Sequence, residues 1–515
     1  MKTYYVTTPI YYLNGDPHIG HTYTTVAADA MARYKKARGY DVKFLTGSDE
    51  HGQKVERAAQ DAGVSPQAFV DNLAEQFKKT WELMDCEYDF YQRTTNPDHM
   101  ATVKKIFKKL YDQGDIYKGG YEGLYCTPCE TFLTEHQLIN GNCPNSDCGR
   151  PVEVISEECY FLRMSKYQDR LMKHFKDNPD FLLPVSRRNE MINSFLKPGL
   201  DDLCVSRTTF TWGVPVDFDP GHVVYVWIDA LPNYISALGY LSDDDSQYRR
   251  YWPADLHLMS KEIVRFHTII WPCILMALGE PLPKQVFSHG WLQCEGQKMG
   301  KSWGNVIDPN ALVDEYGVDA IRYYLLREFT FGPDGNFTQN SLVNRYNADL
   351  ANDLGNLLSR TVGMVDKYFG GTLPALPPSP TPFDSELSGM ATAMIGKFEE
   401  RMDKLAFSEA LNEAWNVVRR ANKYIDETQP WVLAKDEAKK GELANVLYHL
   451  AETLRILAIV IAPVMPNTPA IIRAQLSMAD PALAGWESAK TFGLTPREIT
   501  VQKGPAAFPR KEKEK

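Results

Sequence analysis

The beginning of the chain alternates between two hydrophobic patterns. Tyr4–Thr8 is a short run of aromatic and β-branched residues, which is typical of a buried strand. A turn at Asn14–Gly15 follows, and Asp16 and Pro17 suit the N-cap and the first position of a helix. From about Ile19 to Ala37, apolar residues recur at helical spacing, which predicts the first helix.

The same alternation continues toward the middle of the chain. Short apolar runs at Val42–Leu45 and Val286–Leu292 predict strands, and Leu256–Pro272 predicts a strand that leads into a helix. Helical pattern dominates Pro66–Gly114, and strand-like alternation returns at His222–Asp229. The first strand and helix match the start of a doubly wound α/β fold, which binds nucleotides at this point.

The C-terminal part has a different pattern. From Arg345 onward the chain is helical in pattern, interrupted by the Pro-rich connector Leu373–Pro382. The longest apolar run, Ile456–Val464, is cut by Pro463 and is too short to span a membrane, so it predicts a core helix. The charged end of the chain, Arg510–Lys515, predicts disorder. An all-α bundle is expected, with helical spacing at Leu443, Val446, Leu450, Leu454, Leu457 and Ile461.

Composition narrows the class of protein. A length of 515 residues predicts several domains, and 44% hydrophobic and 24% charged residues are ordinary for a soluble globular protein. The net charge of −10 does not indicate nucleic-acid binding, so any contact with RNA would need a local basic patch. The chain opens without the apolar core of a signal peptide and has nine cysteines, which predicts a reducing, cytoplasmic location.

Two cysteine pairs carry the first chemical signal. Cys126 and Cys129 form a C-x2-C pair, and Cys143 and Cys148 form a C-x4-C pair shortly after it. Two such pairs around a polar loop fit a closed tetrahedral zinc site with a structural role. Disulfides are the alternative, but they are disfavoured in the cytosol. His136 lies between the pairs and could replace one ligand.

A second signal follows the first predicted strand, in P-I-Y-Y-L-N-G-D-P-H-I-G-H. His18 and His21 would share the first turn of the helix, beside its free backbone N–H groups and positive dipole end. Gly20 would let a ligand approach the backbone. This arrangement suits a phosphate group, although two surface histidines are the plainer interpretation. Asp49, in T-G-S-D-E-H-G, follows the next predicted strand. Its position suits a ligand-binding crevice, and an exposed turn is the alternative interpretation.

A third signal is the glycine-punctuated loop E-G-Q-K-M-G-K-S-W-G. Lys298 and Lys301 are mobile ammonium groups that suit a polyphosphate whose charge shifts during a reaction. A basic surface turn is the alternative for this loop taken alone.

Taken together, H-x-G-H and K-M-G-K-S are the pair of motifs that marks class I aminoacyl-tRNA synthetases. The chain up to about residue 500 resembles the methionyl-tRNA synthetase family within that class. The narrower resemblance rests on T-P-I-Y-Y before the histidines, on the four-cysteine knuckle, and on the stretches V-W-I-D-A-L-P-N-Y, S-K-E-I-V-R-F-H, N-L-L-S-R and Q-P-W. One departure is Gly300, where the family's loop usually has serine. Both lysines remain, so we expect catalysis to survive with a more flexible loop.

The resemblance implies a Rossmann-like catalytic domain that is split by a zinc-knuckle insertion and followed by an anticodon-binding helix bundle. Six segments are expected: 1–115 and 222–292 as the halves of the catalytic fold, 116–221 as the insertion, 293–350 as the signature-loop and stem-contact region, 351–500 as the bundle, and 501–515 as a tail.

The resemblance also implies a two-step reaction. Methionine and ATP would give methionyl-adenylate, and the 3′ end of tRNA(Met) would then accept methionine. Structural Zn²⁺, one per chain, and Mg²⁺ with ATP are the implied cofactors, and a monomer without membrane contact is expected. The implied catalytic residues are His18, His21, Lys298 and Lys301, and ATP would also contact Gly20, Glu262, His289, Gly290 and Ser302. Methionine would contact Ile10, Tyr12, Asp49, Trp227, Ala230, Tyr234, Ile263, His267 and Trp271. The anticodon would contact Asn356, Arg360 and Trp431, and zinc would bind Cys126, Cys129, Cys143 and Cys148.

Other functions remain possible at this stage. Another class I synthetase is the nearest alternative, but the segment between Gly114 and His222 is short for a large editing insertion. A small-molecule nucleotidylyltransferase would share the H-x-G-H chemistry but would not need the helical bundle. A non-catalytic RNA-binding relative would be expected to lose the histidines or lysines.

Overall fold

The computed structural model describes residues 1–13, 15–126, 131–133, 135, 138–144, 148–299 and 305–512. Its strands are β1 Thr3–Tyr12, β2 Asp41–Asp49, β3 Phe90–Arg93, β4 Ile116–Cys126, β5 Thr131–Leu133, β6 Glu153–Leu162, β7 Leu182–Leu183, β8 Leu203–Cys204, β9 Ser206–Arg207, β10 Val223–Val224, β11 Leu256–Ser260, β12 Val286–His289, β13 Leu292–Cys294, β14 Gln297–Lys298, β15 Gly335–Phe337, β16 Thr372–Leu373 and β17 Ile499–Thr500.

The α-helices are α1 Ile19–Ala37, α2 Gln53–Asp61, α3 Pro66–Leu83, α4 Pro97–Asp112, α5 Gln168–Asp177, α6 Val185–Met191, α7 Val226–Ala230, α8 Asn233–Ser236, α9 Ser246–Tyr251, α10 Trp271–Leu278, α11 Pro309–Tyr316, α12 Val318–Glu328, α13 Gln339–Arg345, α14 Asn356–Phe369, α15 Asp384–Asp403, α16 Phe407–Thr428, α17 Pro430–Leu433, α18 Lys440–Ile461 and α19 Thr468–Gln475. Short 3-10 turns lie at Met164–Tyr167, Lys261–Ile263, Glu437–Lys439, Pro481–Leu483 and Trp486–Lys490, and π-helical turns at Ile192–Leu196, Phe266–Ile270 and Tyr346–Gly355.

A parallel six-stranded sheet with the order β3-β2-β1-β11-β12-β7 forms the catalytic fold. The chain proceeds outward from β1 to β2 and β3 on one side and returns much later as β11 on the other. The carboxyl ends of β1 and β11 therefore flank the point where strand order reverses, which is where such sheets bind ligands. The predicted Rossmann-like α/β fold is confirmed.

The structure corrects several predicted elements. The first strand extends to Tyr12. Helix α1 spans the predicted residues, but its N-cap is His18 and not Asp16, because the imidazole accepts the backbone N–H that a carboxylate would otherwise take. The segment His222–Asp229 was predicted as strand, yet only β10 is extended and α7 follows it. Its apolar run suits either state, and β10 has a strand partner only in the short β9.

The insertion folds as a second sheet. Strands β5, β4, β6 and β8 pair antiparallel in that order, and the cysteine cluster lies at the end of β4. Strand β7 lies within the segment 116–221 but pairs with β12, so the catalytic sheet takes its edge strand from that segment.

The C-terminal part is a bundle around α18, as the pattern of Leu443–Ile461 predicts. The stretch Glu437–Ile461 is long and apolar enough to cross a membrane by length and composition, but 94% of its most apolar window is buried inside the protein. It is the core helix of the bundle. The end of the chain is partly ordered, contrary to the prediction, because the Lys511 backbone N–H donates to the Asn347 side chain over 2.9 Å.

A buried ion pair joins the bundle to the catalytic fold. Arg322 on α12 donates from Nη2 to Asp29 on α1 over 2.6 Å, and both side chains are fully buried. The same guanidinium donates to the carbonyl groups of Met84 and Val464, at 2.9 and 2.8 Å. Helix α1 is therefore fastened to α12, to the end of α3 and to the segment that follows α18.

Candidate active site at the sheet switch point

A cavity of about 510 Å³ opens at the carboxyl ends of the central strands. Its floor comes from β1 and β2, where Tyr12 pairs in register with Asp49. Helices α1, α7 and α8 and the turns after β11 and β12 form its walls. Of the residues singled out from the sequence, the following line this one cavity: Ile10, Tyr12, His18, Gly20, His21, Asp49, Trp227, Ala230, Tyr234, Glu262, Ile263, His267, His289 and Gly290.

The two histidines of the first motif cap helix α1. Nδ1 of His18 accepts the Gly20 backbone N–H over 3.1 Å, and Nδ1 of His21 accepts the His18 backbone N–H over 3.2 Å. This is a reciprocal capping box in which imidazoles take the places of serine and glutamate. The rings stack with centroids 3.9 Å apart.

These hydrogen bonds determine where the ring protons lie. A nitrogen that accepts an amide N–H carries no proton, so each ring is neutral and its hydrogen is on Nε2. Burial lowers the pKa of His21 well below its ordinary value, and the neighbouring His18 lowers it further. The site therefore offers uncharged N–H donors at the positive end of a helix, an arrangement that suits phosphate oxygens.

The structure brings the second motif to the first. Met299, between the two lysines in K-M-G-K-S, lines the cavity, and a Cβ added to Gly20 would lie 3.8 Å from its terminal methyl group. The backbone N–H of Ile19 donates to the Ile307 carbonyl over 3.2 Å, which ties the far side of the loop to the start of α1. Lys298 ends β14, but its side chain lies outside the described part of the chain, as do Lys301 and Ser302.

Asp49 lies in the cavity floor with only 6% of its surface exposed, which rules out the exposed-turn interpretation. The residue that follows it is held firmly. Glu50 is fully buried and receives two hydrogen bonds from Arg93, at 2.6 and 2.9 Å. The Asp49 carboxylate is thus presented to the cavity from a fixed backbone.

Aromatic residues line the opposite wall. The Tyr234 hydroxyl is 2.6 Å from Nε2 of His267, and Nδ1 of His267 donates to the Ile263 carbonyl over 2.9 Å. Burial lowers the pKa of His267 to about 4, so the ring is neutral near pH 7. Since its proton is on Nδ1, Tyr234 must be the donor to Nε2. Tyr234 therefore turns its ring and its oxygen lone pairs, but no hydrogen, toward the cavity.

Trp271 does not line the cavity, although it was predicted to share a face with Ile263 and His267. The ring is fully buried and lies behind Tyr234, with centroids 6.1 Å apart. The cause is the π-helical turn Phe266–Ile270, since a wider turn rotates the residues that follow it. Phe266 faces the cavity instead and stacks on Trp227, with centroids 3.5 Å apart.

The other end of the cavity is more polar. Nε1 of Trp291 donates to Glu262 over 2.6 Å. Nε2 of His289 is bonded to the Thr24 hydroxyl of α1 over 2.8 Å, and burial lowers the pKa of His289. A Cβ at Gly290 would lie 2.4 Å from the Asp334 backbone nitrogen, so only glycine fits there.

Sequence reasoning missed several lining residues, among them Thr24, Lys54, Asn233, Phe266 and Trp291. Lys54 could have been noticed, because it is a cation five residues after Asp49 and near the start of α2. Its ammonium lies 5.5 Å from the centroid of the Tyr12 ring. Phe266 and Trp291 offered no such signal, since an aromatic residue beside a predicted strand or helix is usually core.

The cysteine cluster lies in the insertion, away from the cavity. The sulfur atoms of Cys126, Cys143 and Cys148 all lie within 4.8 Å of one another, and those of Cys126 and Cys148 are 3.5 Å apart. Zn–S bonds of about 2.3 Å in a tetrahedral site separate sulfur atoms by about 3.8 Å. The described thiols therefore fit zinc, and Cys129 and His136 lie outside the described residues.

The predicted base-contacting residues lie on the bundle. Asn356 is exposed at the first turn of α14, and Arg360 on the same helix pairs with Asp426 over 3.0 Å. Asp426 lies near the end of α16, just before α17, where the Trp431 ring is 42% exposed. The salt bridge thus connects the helix of Asn356 and Arg360 to the helical corner that carries Trp431.

Comparison with known proteins adds independent information. A family model described as class I tRNA synthetases (M) matches residues 4–151 and 145–362, and one described as the anticodon binding domain of methionyl tRNA ligase matches residues 378–505. The methionine–tRNA ligase of Caldanaerobacter subterraneus subsp. tengcongensis is 61% identical over 514 residues, which are 100% of this chain and 80% of that protein. The Clostridium perfringens enzyme of the same name is 57% identical over 509 residues, covering 99% and 78%.

Solved structures agree with these matches. Mycobacterium tuberculosis methionyl-tRNA synthetase in complex with methionyl-adenylate superposes with a TM-score of 0.94 at 43% identity, covering 99% of this chain and 100% of that one. The free state of the M. tuberculosis enzyme gives a TM-score of 0.87 at 39% identity, covering 100% and 99%. The architecture described above is shared along the whole chain.

Proposed function

Since the chain belongs to the methionyl-tRNA synthetase family of class I, we propose which of its residues carry out the two steps of that activity. Its function is that of an ATP-dependent methionine–tRNA ligase. The observation that supports the residue assignment is that His18, His21, Met299 of the second motif and the aromatic pocket meet at one cavity of about 510 Å³.

In the first step, the methionine carboxylate attacks the α-phosphate of ATP, and the protein has to position the reactants and stabilise charge. His18 and His21 donate from Nε2 to phosphate oxygens at the N-terminus of α1. Because both rings are neutral, they hold the nucleotide without a full positive charge of their own. Lys298 and Lys301 supply that charge from the signature loop as it builds up in the transition state.

Mg²⁺ accompanies ATP in this proposal and neutralises phosphate charge when bound. Among the cavity-lining residues that the structure describes, Asp49 and Glu262 are the carboxylates. Phosphate oxygens and water would therefore supply most of the ligands of a bound Mg²⁺. His289 and Gly290 line the part of the cavity beside α1, where the nucleotide would lie against the backbone.

Methionine takes the opposite end of the cavity. Asp49 pairs with its α-ammonium group, because its carboxylate faces the cavity from a backbone that the neighbouring Glu50 holds in place. Its side chain lies among Tyr12, Trp227, Tyr234 and His267, because a thioether makes favourable contacts with aromatic rings. Tyr234 gives its hydrogen to His267, so the sulfur is recognised by ring contact and shape.

In the second step, the 3′ end of tRNA(Met) accepts methionine while the bundle holds the anticodon. We assign base stacking to the exposed Trp431 ring and hydrogen bonding to Asn356 and Arg360. One chain carries both the cavity and this surface, which supports a monomer as the working form. A cytoplasmic location completes the proposal, since the thiolates that would bind zinc have to stay reduced.

The assignment of substrate is tested by ATP–pyrophosphate exchange with a panel of amino acids. We expect exchange with methionine and little with leucine, isoleucine, valine or cysteine, because only a thioether of this length fills an aromatic pocket that offers no strong donor. Exchange with leucine or cysteine in preference to methionine would overturn the assignment.

Trp431→Ala tests the anticodon surface. The variant should lower tRNA aminoacylation by about tenfold or more, since base–aromatic stacking contributes roughly 1–3 kcal/mol. Pyrophosphate exchange should stay near the level of the unchanged protein. Ile471→Ala is the matched control, because Ile471 is also an exposed apolar residue of the bundle, at 37%. An equal fall in both reactions for Trp431→Ala would contradict its assigned role.

Cys143→Ser tests the zinc site. The purified protein should contain about one zinc per chain by elemental mass spectrometry, and the variant should lose most of it because one thiolate ligand is gone. Cys294→Ser serves as the control, since Cys294 lies in β13, away from the cluster. Undiminished zinc in Cys143→Ser would show that this thiol is not a ligand.

A further inference from the structure

A carboxylate with no assigned function is buried beside the cavity. Asp229 is completely buried, yet its two oxygens accept hydrogen bonds from two imidazoles. Oδ2 lies 2.6 Å from Nδ1 of His51, and Oδ1 lies 3.1 Å from Nε2 of His99. Nδ1 of His99 is in turn 2.7 Å from the Ser236 hydroxyl. These four side chains are called the Asp229 cluster below.

The directions of the hydrogen bonds follow from the chemistry of the groups. An ionised carboxylate only accepts, so His51 donates from Nδ1 and His99 donates from Nε2. The Ser236 hydroxyl lies within hydrogen-bond distance of Nδ1 of His99, on the side of the ring away from Asp229. Burial alone would raise the pKa of Asp229, but the two imidazoles more than offset that effect and the pKa is lowered. Asp229 is therefore a buried anion that is fully satisfied by this arrangement.

The cluster joins three pieces of the cavity wall. His51 lies two residues after Asp49, at the end of β2. Asp229 lies on α7, between the lining residues Trp227 and Ala230. Ser236 lies on α8, two residues after Tyr234. His99, on α4, closes the connection from outside the cavity.

The short length of α7 and α8 makes such a connection necessary. Each is a single turn, and single turns have little stability of their own. Their lining residues need a fixed support to hold the ring of Trp227 and the hydroxyl of Tyr234 at a constant distance from Asp49. Two hydrogen bonds to a buried charge provide that support, because a carboxylate left unsatisfied there would be strongly unfavourable.

We propose that Asp229 is a positioning residue for the amino-acid pocket: through His51, His99 and Ser236 it sets the distance between the Asp49 carboxylate and the aromatic wall, and so sets the affinity for methionine. This inference rests on the proposed assignment of Asp49 and the aromatic wall to methionine.

Asp229→Asn is the test, with the Michaelis constants measured in ATP–pyrophosphate exchange. The oxygen of the asparagine side chain can accept a hydrogen bond from one imidazole, but its NH2 group faces the other imidazole, so one of the two hydrogen bonds is lost. The part of the cavity wall held by that bond is then no longer fixed to the turn that carries Asp49. The KM for methionine should rise about tenfold, the equivalent of one lost buried hydrogen bond. The KM for ATP should change less than about twofold, because His18, His21 and His289 are not in the cluster.

Asp115→Asn is the matched control. Asp115 is also buried, at 2%, and accepts from Tyr167 over 2.8 Å and from Lys166 over 2.6 Å, but it lies between α4 and β4 and does not line the cavity. This variant should lower the thermal midpoint as Asp229→Asn does and leave the methionine KM unchanged. Equal small effects of both variants on the methionine KM would reduce Asp229 to a structural residue and overturn the proposal.

Two further variants complete the test. Ser236→Ala serves in case Asp229→Asn fails to fold, because it removes only the outer hydroxyl and preserves the fold. A several-fold rise in the methionine KM is still expected for this variant. No rise in Ser236→Ala in that event would overturn the proposal. Asp49→Asn separates the two levels of inference. If the methionine KM of Asp49→Asn is unchanged, the assignment of the pocket to methionine fails. If the methionine KM rises in Asp49→Asn but not in Asp229→Asn, only the positioning role of Asp229 is refuted.

Discussion

The structure depends most on how the first turn of helix α1 satisfies its backbone N–H groups. The ring nitrogens of His18 and His21 accept two of these amides, and a nitrogen that accepts cannot carry a proton. Both rings are consequently neutral, stacked and oriented, and each has its hydrogen on Nε2. The motif that looks like a pair of basic residues in the sequence is a pair of uncharged donors in the fold. In the proposed mechanism, the positive charge that stabilises the transition state comes from the signature loop.

Buried ionic groups hold the rest of the site against this helix. Arg93 forms a salt bridge with Glu50, the residue after Asp49. The Asp229 cluster links the same turn to α7 and α8, and the Arg322–Asp29 pair connects α1 to the bundle. Removing one partner of a buried pair costs about 3–5 kcal/mol, because the other charge is left unsatisfied. Each pair therefore fixes the relative position of the two elements that it joins, although its net contribution to stability is small. Together these contacts hold the elements that line the cavity. Met299 lines the cavity, and the Ile307 carbonyl accepts the backbone N–H of Ile19 at the start of α1.

Much of this arrangement was predictable because it depends on residues that lie close together in the sequence. The family resemblance predicted the Rossmann-like sheet, the spacing of His18 and His21 placed both rings on the first turn of α1, and the cysteine pairs predicted the cluster in the insertion. The misses have physical causes. The Asp16 cap was wrong because an imidazole took the role of a carboxylate. Trp271 lies behind Tyr234 because a π-helical turn changes the helical phase, and its contact with methionine stays a prediction. The Asp229 cluster joins residues that are far apart in sequence, and no local pattern brings His51, His99 and Asp229 together.

The most direct measurement is ¹⁵N NMR of the imidazole rings of His18 and His21, assigned by difference from the two His→Gln variants. The account predicts that both rings carry hydrogen on Nε2 and none on Nδ1 near neutral pH. His21 should also remain neutral when the pH falls through about 6.5, where an ordinary histidine gains its proton. A hydrogen on Nδ1 of either ring, or an imidazolium at His21 near neutral pH, would contradict the capping arrangement and the role assigned to the two histidines.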